Sequence, residues 1–493
     1  MGYMDLREWL ANVEADGELE RISGADCDLE MSAIAEVIYR EGKQPPPALL
    51  FDDIPGYPKG YRTIYGMEAS PRRLARCIGL SGDRFDYTSL VRDCMKHLLS
   101  EKRSIPPKFV TTGPVLENVL TGNQIALTNF PSPRFHELDG GRYIGTAVAV
   151  IQRDPDTGCV NLGTYRCMVV DRDHFAVHMT EGKHGRHIID EKYAPRGQVM
   201  PIAIAIGTEP ALYYASTRDV SWNVSEYDFA GGVMGEPIEV IEGPYTKLPL
   251  PARAEIVIEG EWHPGEMADE GPFGEWHGYY ANLGQLPVPE PVVRVKTILH
   301  RNDPILTCMP PSAPPNEQSL HSGVFGAAAI WSKLEMCNVP GIKGVWNHSV
   351  GSGILFNVIS IKQSFVGHPM QVGMIASQLV ALTHTGAFTV LVDDDINPYD
   401  LYDVMWAVST RTDPERDIHI IPRCFAGSSD PCVPLEEKMK YSKPPKPLSK
   451  GRAVIDACRP YAGKENWYPV ARLSSTLRKQ VLDKWGELFR RLL

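Results

Sequence analysis

Apolar residues recur at helical spacing from the start of the chain. Leu6, Leu10 and Val13 of DLREWLANVEADGEL share one stripe, and Asp5 stands where an N-cap belongs. MSAIAEVIYREGKQPPPALLFDDIPG predicts a helix, a Pro-rich turn and a short buried strand over Ala48–Phe51. Further helices are predicted over Pro71–Ile78 and Tyr87–Leu99, ahead of the polar link EKRSIPPK. From about residue 116 to about 305 the period changes to that of strands. YIGTAVAVIQ, NLGTYRCMVV, HFAVHM, MPIAIAIG, AEIVIEGEW and PVVRVKTIL are β-branched runs broken by Gly, Pro and Asp, with turn signals such as DPDTG between them. Six such runs predict a barrel or sandwich rather than a doubly wound sheet. Beyond about 315, helical HSGVFGAAAIWSKLEMC, MQVGMIASQLVALTH and YDLYDVMWAVSTR alternate with buried strands in GIKGVWNHS, ILFNVISIK and FTVLVDDDI. KYSKPPKPLSKGR reads as a linker or wrapping arm. The chain closes on an amphipathic helix with Leu477, Val481, Trp485, Leu488 and Leu492 on one stripe, expected to pack on its own domain or on a sister subunit.

Composition narrows the class. Hydrophobic residues at 43% exclude disorder for the bulk of a 493-residue chain, which is long enough for two to four domains. Fifty Lys and Arg against 61 Asp and Glu argue against a nucleic-acid binder. The excess is uneven: residues 433–493 hold 14 Lys and Arg but 6 Asp and Glu, so a basic tail follows an acidic body. Ten cysteines without any C-x-x-C read as scattered buried thiols in a reducing compartment. The charged opening MGYMDLREWL forms no signal-peptide core, and no apolar run reaches about 18 residues. The expectation is a soluble, cytoplasmic protein with no nucleic-acid or membrane partner.

Common nucleotide and hydrolase signatures fail: there is no G-x-x-x-x-G-K-[ST], no G-x-G-x-x-G opening a helix, no G-x-S-x-G and no H-E-x-x-H. Three other constellations carry chemistry. In DEGPFGEWHGYY, Glu270 and Glu275 are separated by Gly-Pro-Phe-Gly, which forbids a helix and puts both acids on a shaped turn. Burial among Phe273, Trp276 and Tyr279 would raise a carboxyl toward neutrality, whereas an exposed acidic loop is the plainer alternative. In NLGTYRCMVV, read as one strand, Asn161, Gly163 and Tyr165 face one side and Leu162, Thr164 and Arg166 the other. An Arg buried there needs a carboxylate partner; a surface Arg needs none. Finally, His174 and His178 share a strand face, GKHGRH supplies His184 and His187, and Glu226 follows in VSEYDFAGG. An Asn, an imidazole and a carboxylate suit a hard divalent ion completed by phosphate, though no tight metal motif is present.

EGPFGEWHGYY, NLGTYR after a DPDTG turn, DGGRYIGTAV, DLREWLANVEADGELERI and VDDDINPYDLYDVMWAVSTRTDP together resemble the UbiD-type decarboxylases, the prenylated-FMN-dependent (3-polyprenyl-4-hydroxybenzoate carboxy-lyase) family. The resemblance runs nearly end to end. It implies a mixed α+β protein: an N-terminal α/β region (1–115), a central split β-barrel holding the flavin (116–310), a C-terminal α/β domain (311–440), and a basic arm with an oligomerising helix (441–493). It also implies reversible, non-oxidative decarboxylation of an unsaturated, aromatic or heteroaromatic acid with release of CO2. The matching catalytic positions are Arg166, Glu270 and Glu275, with Arg166 orienting the substrate carboxylate, Glu275 donating the proton and Glu270 tuning Arg166 and its own protonation; an exchange of roles between the two glutamates is the alternative. Asn161, His184 and Glu226 match ligands of a divalent metal, usually Mn2+, and backbone oxygens around Ala215 and Ser216 match a K+ site. The implied cofactor contacts further include Gly163, Thr164, Tyr165, Lys183, Ser216 and Thr217. A flavin prenyltransferase would supply the cofactor, and a homodimer or higher homo-oligomer is implied. One departure is visible: many relatives carry a phosphate-contacting Lys where this chain has Ala387, which leaves Lys183 or Lys362 to serve. Trp276 and the stretch near Leu320 are candidate substrate walls. The alternatives are a metal-dependent hydrolase using His174, His178 or His184 with Glu226, or an inactive family scaffold subunit.

Overall fold

The computed structural model describes residues 2–80, 87–99, 104–180, 182–218, 220–281, 286–379, 386–440 and 448–492. The first helix, Leu6–Ala15, is capped as its sequence dictates: Asp5 Oδ1 accepts from Glu8 N at 2.9 Å while Leu6, Trp9, Leu10 and Val13 turn inward. It covers a four-stranded sheet in the order Leu19–Ser23, Ala48–Asp52, Arg62–Tyr65, Ile305–Thr307, whose last strand comes from far along the chain. Ile305 pairs in parallel with Arg62.

The central sheet has nine strands and curls into a half-barrel. Its path runs Tyr143–Gly145, Arg166–Val169, His174–His178, Val288–His300, Ile256–Glu270, Met200–Ile206, Val148–Arg153, Val160–Gly163, with Asn118–Thr121 pairing alongside Val288–His300. Alternation along these strands serves two cores at once. Ile202, Ile204 and Ile206 enter one apolar cluster with Val148, Val150, Ile256 and Ile258. Ala203 and Ala205 enter the other with Ala149, Ile151 and Val257. Small residues on the second face let helix Pro210–Ser216 approach closely, while each buried Ile on the first contributes about 1.5–3 kcal/mol. NLGTYRCMVV is not one strand. It breaks at Thr164-Tyr165 into Val160–Gly163 and Arg166–Val169, which pair with different neighbours, so the simple two-face alternation across 161–166 does not hold.

Helix Glu317–Met336 leads into a five-stranded sheet ordered Ile342–Asn347, Phe356–Ile361, Phe388–Asp393, Ser449–Ala457, Ile418–Phe425. The segment expected to form an arm thus contributes a strand: Phe388 pairs with Ala453 in parallel, and Ile418 with Ile455 in antiparallel. The Pro- and Lys-rich composition of 440–448 masks the apolar run Ala453-Val454-Ile455 behind it. Of the helix expected through MQVGMIASQLVALTH, His368–Ser377 is observed; 380–385 lie outside the described residues, as do 441–447 of the expected linker. The terminal helix Ser475–Leu492 stands largely exposed on this chain, with Trp485 at 50%, which leaves the sister subunit as the expected partner. Among the described residues no helix is long and apolar enough to cross a membrane.

Candidate functional site

The acidic turn is built by close backbone approach. Gly271 has φ +82°, and the α-carbon of Gly140 lies so near the Gly271 carbonyl that a Cβ there would overlap it. Gly140 N donates to Pro272 O at 2.8 Å, and the turn closes with Glu275 N donating to Tyr279 O at 3.0 Å. Its far side is clamped: Asn316 Nδ2, at the capping box of helix Glu317–Met336, donates to Trp276 O at 3.0 Å. His277 Nε2 meets Ser429 O at 2.6 Å, and Lys438 Nζ donates to Ala281 O at 2.6 Å. Asn316 thereby ties the start of its helix to the Trp276 backbone. Tyr279 does not bury as expected; it is 63% exposed, and Tyr280 instead turns in to donate to Asp139 at 2.8 Å.

The turn delivers both carboxylates to Arg166. Arg166 Nε and Nη2 donate to the two oxygens of Glu270, each at 2.8 Å, and Nη1 donates to Glu275 Oε1 at 2.9 Å. Phe273 lies beneath the guanidinium, 4.5 Å from ring centre to Cζ. Glu270 is 0% and Glu275 7% exposed. Burial works against ionisation of Glu270, yet Arg166, by charge and by hydrogen bonding, together with His178 and Tyr143, holds its carboxyl below the ordinary range. Burial alone would lower Arg166, and the two glutamates outweigh it, leaving the guanidinium firmly protonated. Of the five guanidinium donors, three are taken here and two have no partner among the described residues.

A second group of predicted residues meets across a neighbouring edge. Glu226, buried at the start of helix Glu226–Met234, accepts from Leu162 N at 2.6 Å, next to Asn161. Asn161 is buried, and among the described residues its Nδ2 has no hydrogen-bond partner. The His184–His187 helix packs on the same strand, seated by Gly185, whose N donates to Tyr165 Oη at 3.2 Å. The rings of His184 and His187 stand edge-on to Trp222 at 4.7 and 4.9 Å. A carboxylate, an amide and an imidazole, carried on the strand Val160–Gly163 and the two helices that pack against it, are a donor set that suits a divalent ion, and Lys183 stands at the N-cap of the His184–His187 helix. Thr164 N donates to Ser216 O at 3.0 Å, and the Thr164 and Ser216 hydroxyls lie 2.8 Å apart. This clasp sets the carbonyls ending helix Pro210–Ser216 beside the same strand, where a monovalent cation could be held. Thr217 Oγ1 donates to Tyr214 O at 2.7 Å. Gly163 is where the Tyr165 ring comes so close that a Cβ would overlap it.

Other expected residues lie apart. Ala387 precedes the strand Phe388–Asp393, and Lys362 is exposed at the end of Phe356–Ile361. His174 sits with Asp171 and Asp173 at an exposed turn, the one group among the described residues whose His, Cys or carboxylate atoms converge at metal-binding distance. The sequence did not single out Tyr143, whose hydroxyl donates to Glu270 Oε1 at 2.9 Å, nor Glu290 and Arg186, which join His178 behind Glu270. The available signal was the Tyr of the DGGRYIGTAV motif itself.

Family profiles described as the N-terminal, Rift-related and C-terminal domains of 3-octaprenyl-4-hydroxybenzoate carboxy-lyase match residues 10–91, 108–314 and 321–457. The chain is 31% identical over 512 residues to a pyrrole-2-carboxylic acid decarboxylase of Pseudomonas aeruginosa, covering 98% of each. It is 31% identical over 508 residues to an uncharacterized protein of Aquifex aeolicus, covering 99% of each. Among solved structures it is similar to the UbiD-class enzyme HmfF of Pelotomaculum thermopropionicum in complex with FMN, with TM-score 0.82, 28% identity and coverage of 96% of this chain and 98% of that one. It is also similar to the vanillic acid decarboxylase of Sedimentibacter hydroxybenzoicus in open form, with TM-score 0.81, 27% identity and 99% coverage of both.

Proposed function

The chain belongs to the UbiD family of carboxy-lyases, and from that premise we propose that this decarboxylase acts reversibly and without oxidation on a planar aromatic or heteroaromatic acid, using prenylated FMN and the Arg166–Glu270–Glu275 network. The observation that carries the proposal is one buried guanidinium forked onto Glu270, reaching Glu275 with a third N–H, with two donors to spare. When bound, the prenylated flavin supplies the electron sink for the carbanion equivalent, which no side chain offers. The Asn161, His184 and Glu226 set would hold Mn2+ or another divalent ion against the flavin phosphate, and the carbonyls around Ala215 and Ser216 would hold K+. Gly163, Thr164, Lys183, Ser216 and Thr217 would line the cofactor, with Tyr165 acting through Gly185 to seat the His184 turn. Assembly into a homo-oligomer is consistent with the exposed terminal helix.

The two remaining donors of Arg166 orient the substrate carboxylate by charge-assisted bonds. The C–C bond to that carboxylate breaks, CO2 leaves, and Glu275 delivers a proton to the carbon it has left, later recovering one from solvent. Glu270, held ionised, keeps Arg166 in place and leaves the proton to Glu275. The assay is CO2 release from a panel of aromatic acids, pyrrole-2-carboxylate and vanillate included, by protein coproduced with a flavin prenyltransferase. Turnover is expected only with the coproduced enzyme. Full activity from flavin-free protein would sink the proposal.

A further inference from the structure

Neighbouring strands set a row of polar side chains on the face that carries Arg166. His178 stands opposite Arg166 in the ladder between Arg166–Val169 and His174–His178. On the next strand Glu290 accepts the imidazole Nδ1 at 2.8 Å, and Arg186 Nη1 donates to the other Glu290 oxygen at 3.2 Å. His178 Nδ1 also lies 4.0 Å from Glu270 Oε2, the oxygen that takes Arg166 Nη2. Glu290 is 4% exposed, so its charge needs both of these partners. His178, Glu290 and Arg186 have no part in the mechanism above.

We propose that His178 is a positioning residue for the acid–base pair: seated on Glu290, its imidazolium keeps Glu270 in the carboxylate form, so that the transferable proton resides on Glu275. The role presupposes the decarboxylase reading. Its physical basis is the inequality of the two glutamates around one guanidinium. Glu270 receives the Nε/Nη2 fork, the Tyr143 hydroxyl and the nearby imidazole; Glu275 receives a single N–H. Two carboxyls whose surroundings differ in this way divide into an ionised and a protonated partner. The charged and titratable groups that face His178 are Glu270, Glu290, Arg166 and Arg186, each from a different element, two anions against two guanidiniums. A nearby imidazolium adds the increment that favours the Glu270 anion, a direction matched by its lowered titration.

The test uses flavin-loaded His178→Gln, His178→Asn and His178→Lys. One readout needs no substrate: infrared titration of the carboxyl band that disappears in Glu270→Gln. The other is the acid limb of kcat/KM against pH on the best acid of the panel. His178→Gln and His178→Asn should each move both upward by roughly one pH unit, the low end for a lost opposite charge at this distance. His178→Lys should hold both within a few tenths, with flavin content as in the parent protein. An unmoved band in the Gln and Asn variants, or a Lys variant that moves as far as they do, overturns the proposal. Parent enzyme inactive on every acid would refute the decarboxylase reading instead, and the band titration would still decide the role of His178.

Discussion

Converting each active-site glutamate to glutamine makes the same chemical change in two unequal places. At Glu275 only Oε1 accepts from Arg166, so an amide oxygen can take over that bond. The cost is the difference between a charge-assisted and a neutral acceptor, about 1 kcal/mol. At Glu270 both oxygens accept from the guanidinium, and Oε1 also takes the Tyr143 hydroxyl. An amide there must turn its NH2 toward an Arg166 N–H in a fully buried site, losing a charge-assisted bond at about 1.5–3 kcal/mol and leaving a donor unpaired on top of that. With the unpaired donor at about 1–3 kcal/mol the total is about 2.5–6 kcal/mol, so for a cooperative unit of 150–250 residues, about 2–4 °C per kcal/mol, the Glu270→Gln melt should fall by roughly 5–24 °C and the Glu275→Gln melt by about 4 °C or less. Both variants should lose turnover by roughly 10²-fold or more. CO2 release and solvent-deuterium exchange into the decarboxylated product should fall together in Glu275→Gln, because both need one proton transfer. Near-parental rates in both assays would show that the proton comes from elsewhere. A Glu275→Gln melt as low as that of Glu270→Gln would refute the unequal hydrogen bonding.

Other consequences follow from the same contacts. His184→Ala or Glu226→Ala should lower metal content and flavin retention on the order of 10–100-fold, by analogy with losses around metal sites, and unchanged occupancy of both would disprove the ligand assignment. Tyr165→Phe removes the acceptor of Gly185 N and should lower flavin retention with little loss of melting temperature, read from absorbance of the purified protein. Glu209 and Glu317 are each pushed up to about 7, by burial above all. Their folded values exceed the ordinary 4.5, so their share of stability is full below pH 4.5 and lost as pH rises through 7, up to roughly 3 kcal/mol each. Denaturant midpoints at pH 5 and pH 8 should therefore differ less in Glu209→Gln than in the parent, and an equal difference would count against the shift.

Much of this architecture was legible because local signals agreed with tertiary packing. Asp5 announces its helix, and the runs from Tyr143 onward announce strands whose faces alternate between two cores. The acidic turn was legible too, since Gly-Pro and Gly leave few other conformations for Glu270 and Glu275. What escaped is long-range. Tyr143 meets Glu270 across 127 residues and His178 meets Glu290 across 112, and no spacing rule joins such pairs. Tyr165 looked like a strand-face residue, but the interruption of the strand at Thr164-Tyr165 sends its ring inward under Gly185. Ser449–Ala457 escaped because Pro and Lys dominate the residues just before it, although its apolar run lies mid-sheet.

The strand Ile305–Thr307 carries a consequence for synthesis of the chain. It completes the N-terminal sheet by pairing with Arg62–Tyr65, yet it is translated about 240 residues later. A ribosome adding roughly 5–20 residues per second needs on the order of 12–50 s to make that stretch. Until then the nascent N-terminal lobe presents the hydrogen-bonding edge of Arg62–Tyr65 with no strand to cover it. Fragments ending before Thr307 keep that edge open permanently, and such an edge is a template for aggregation.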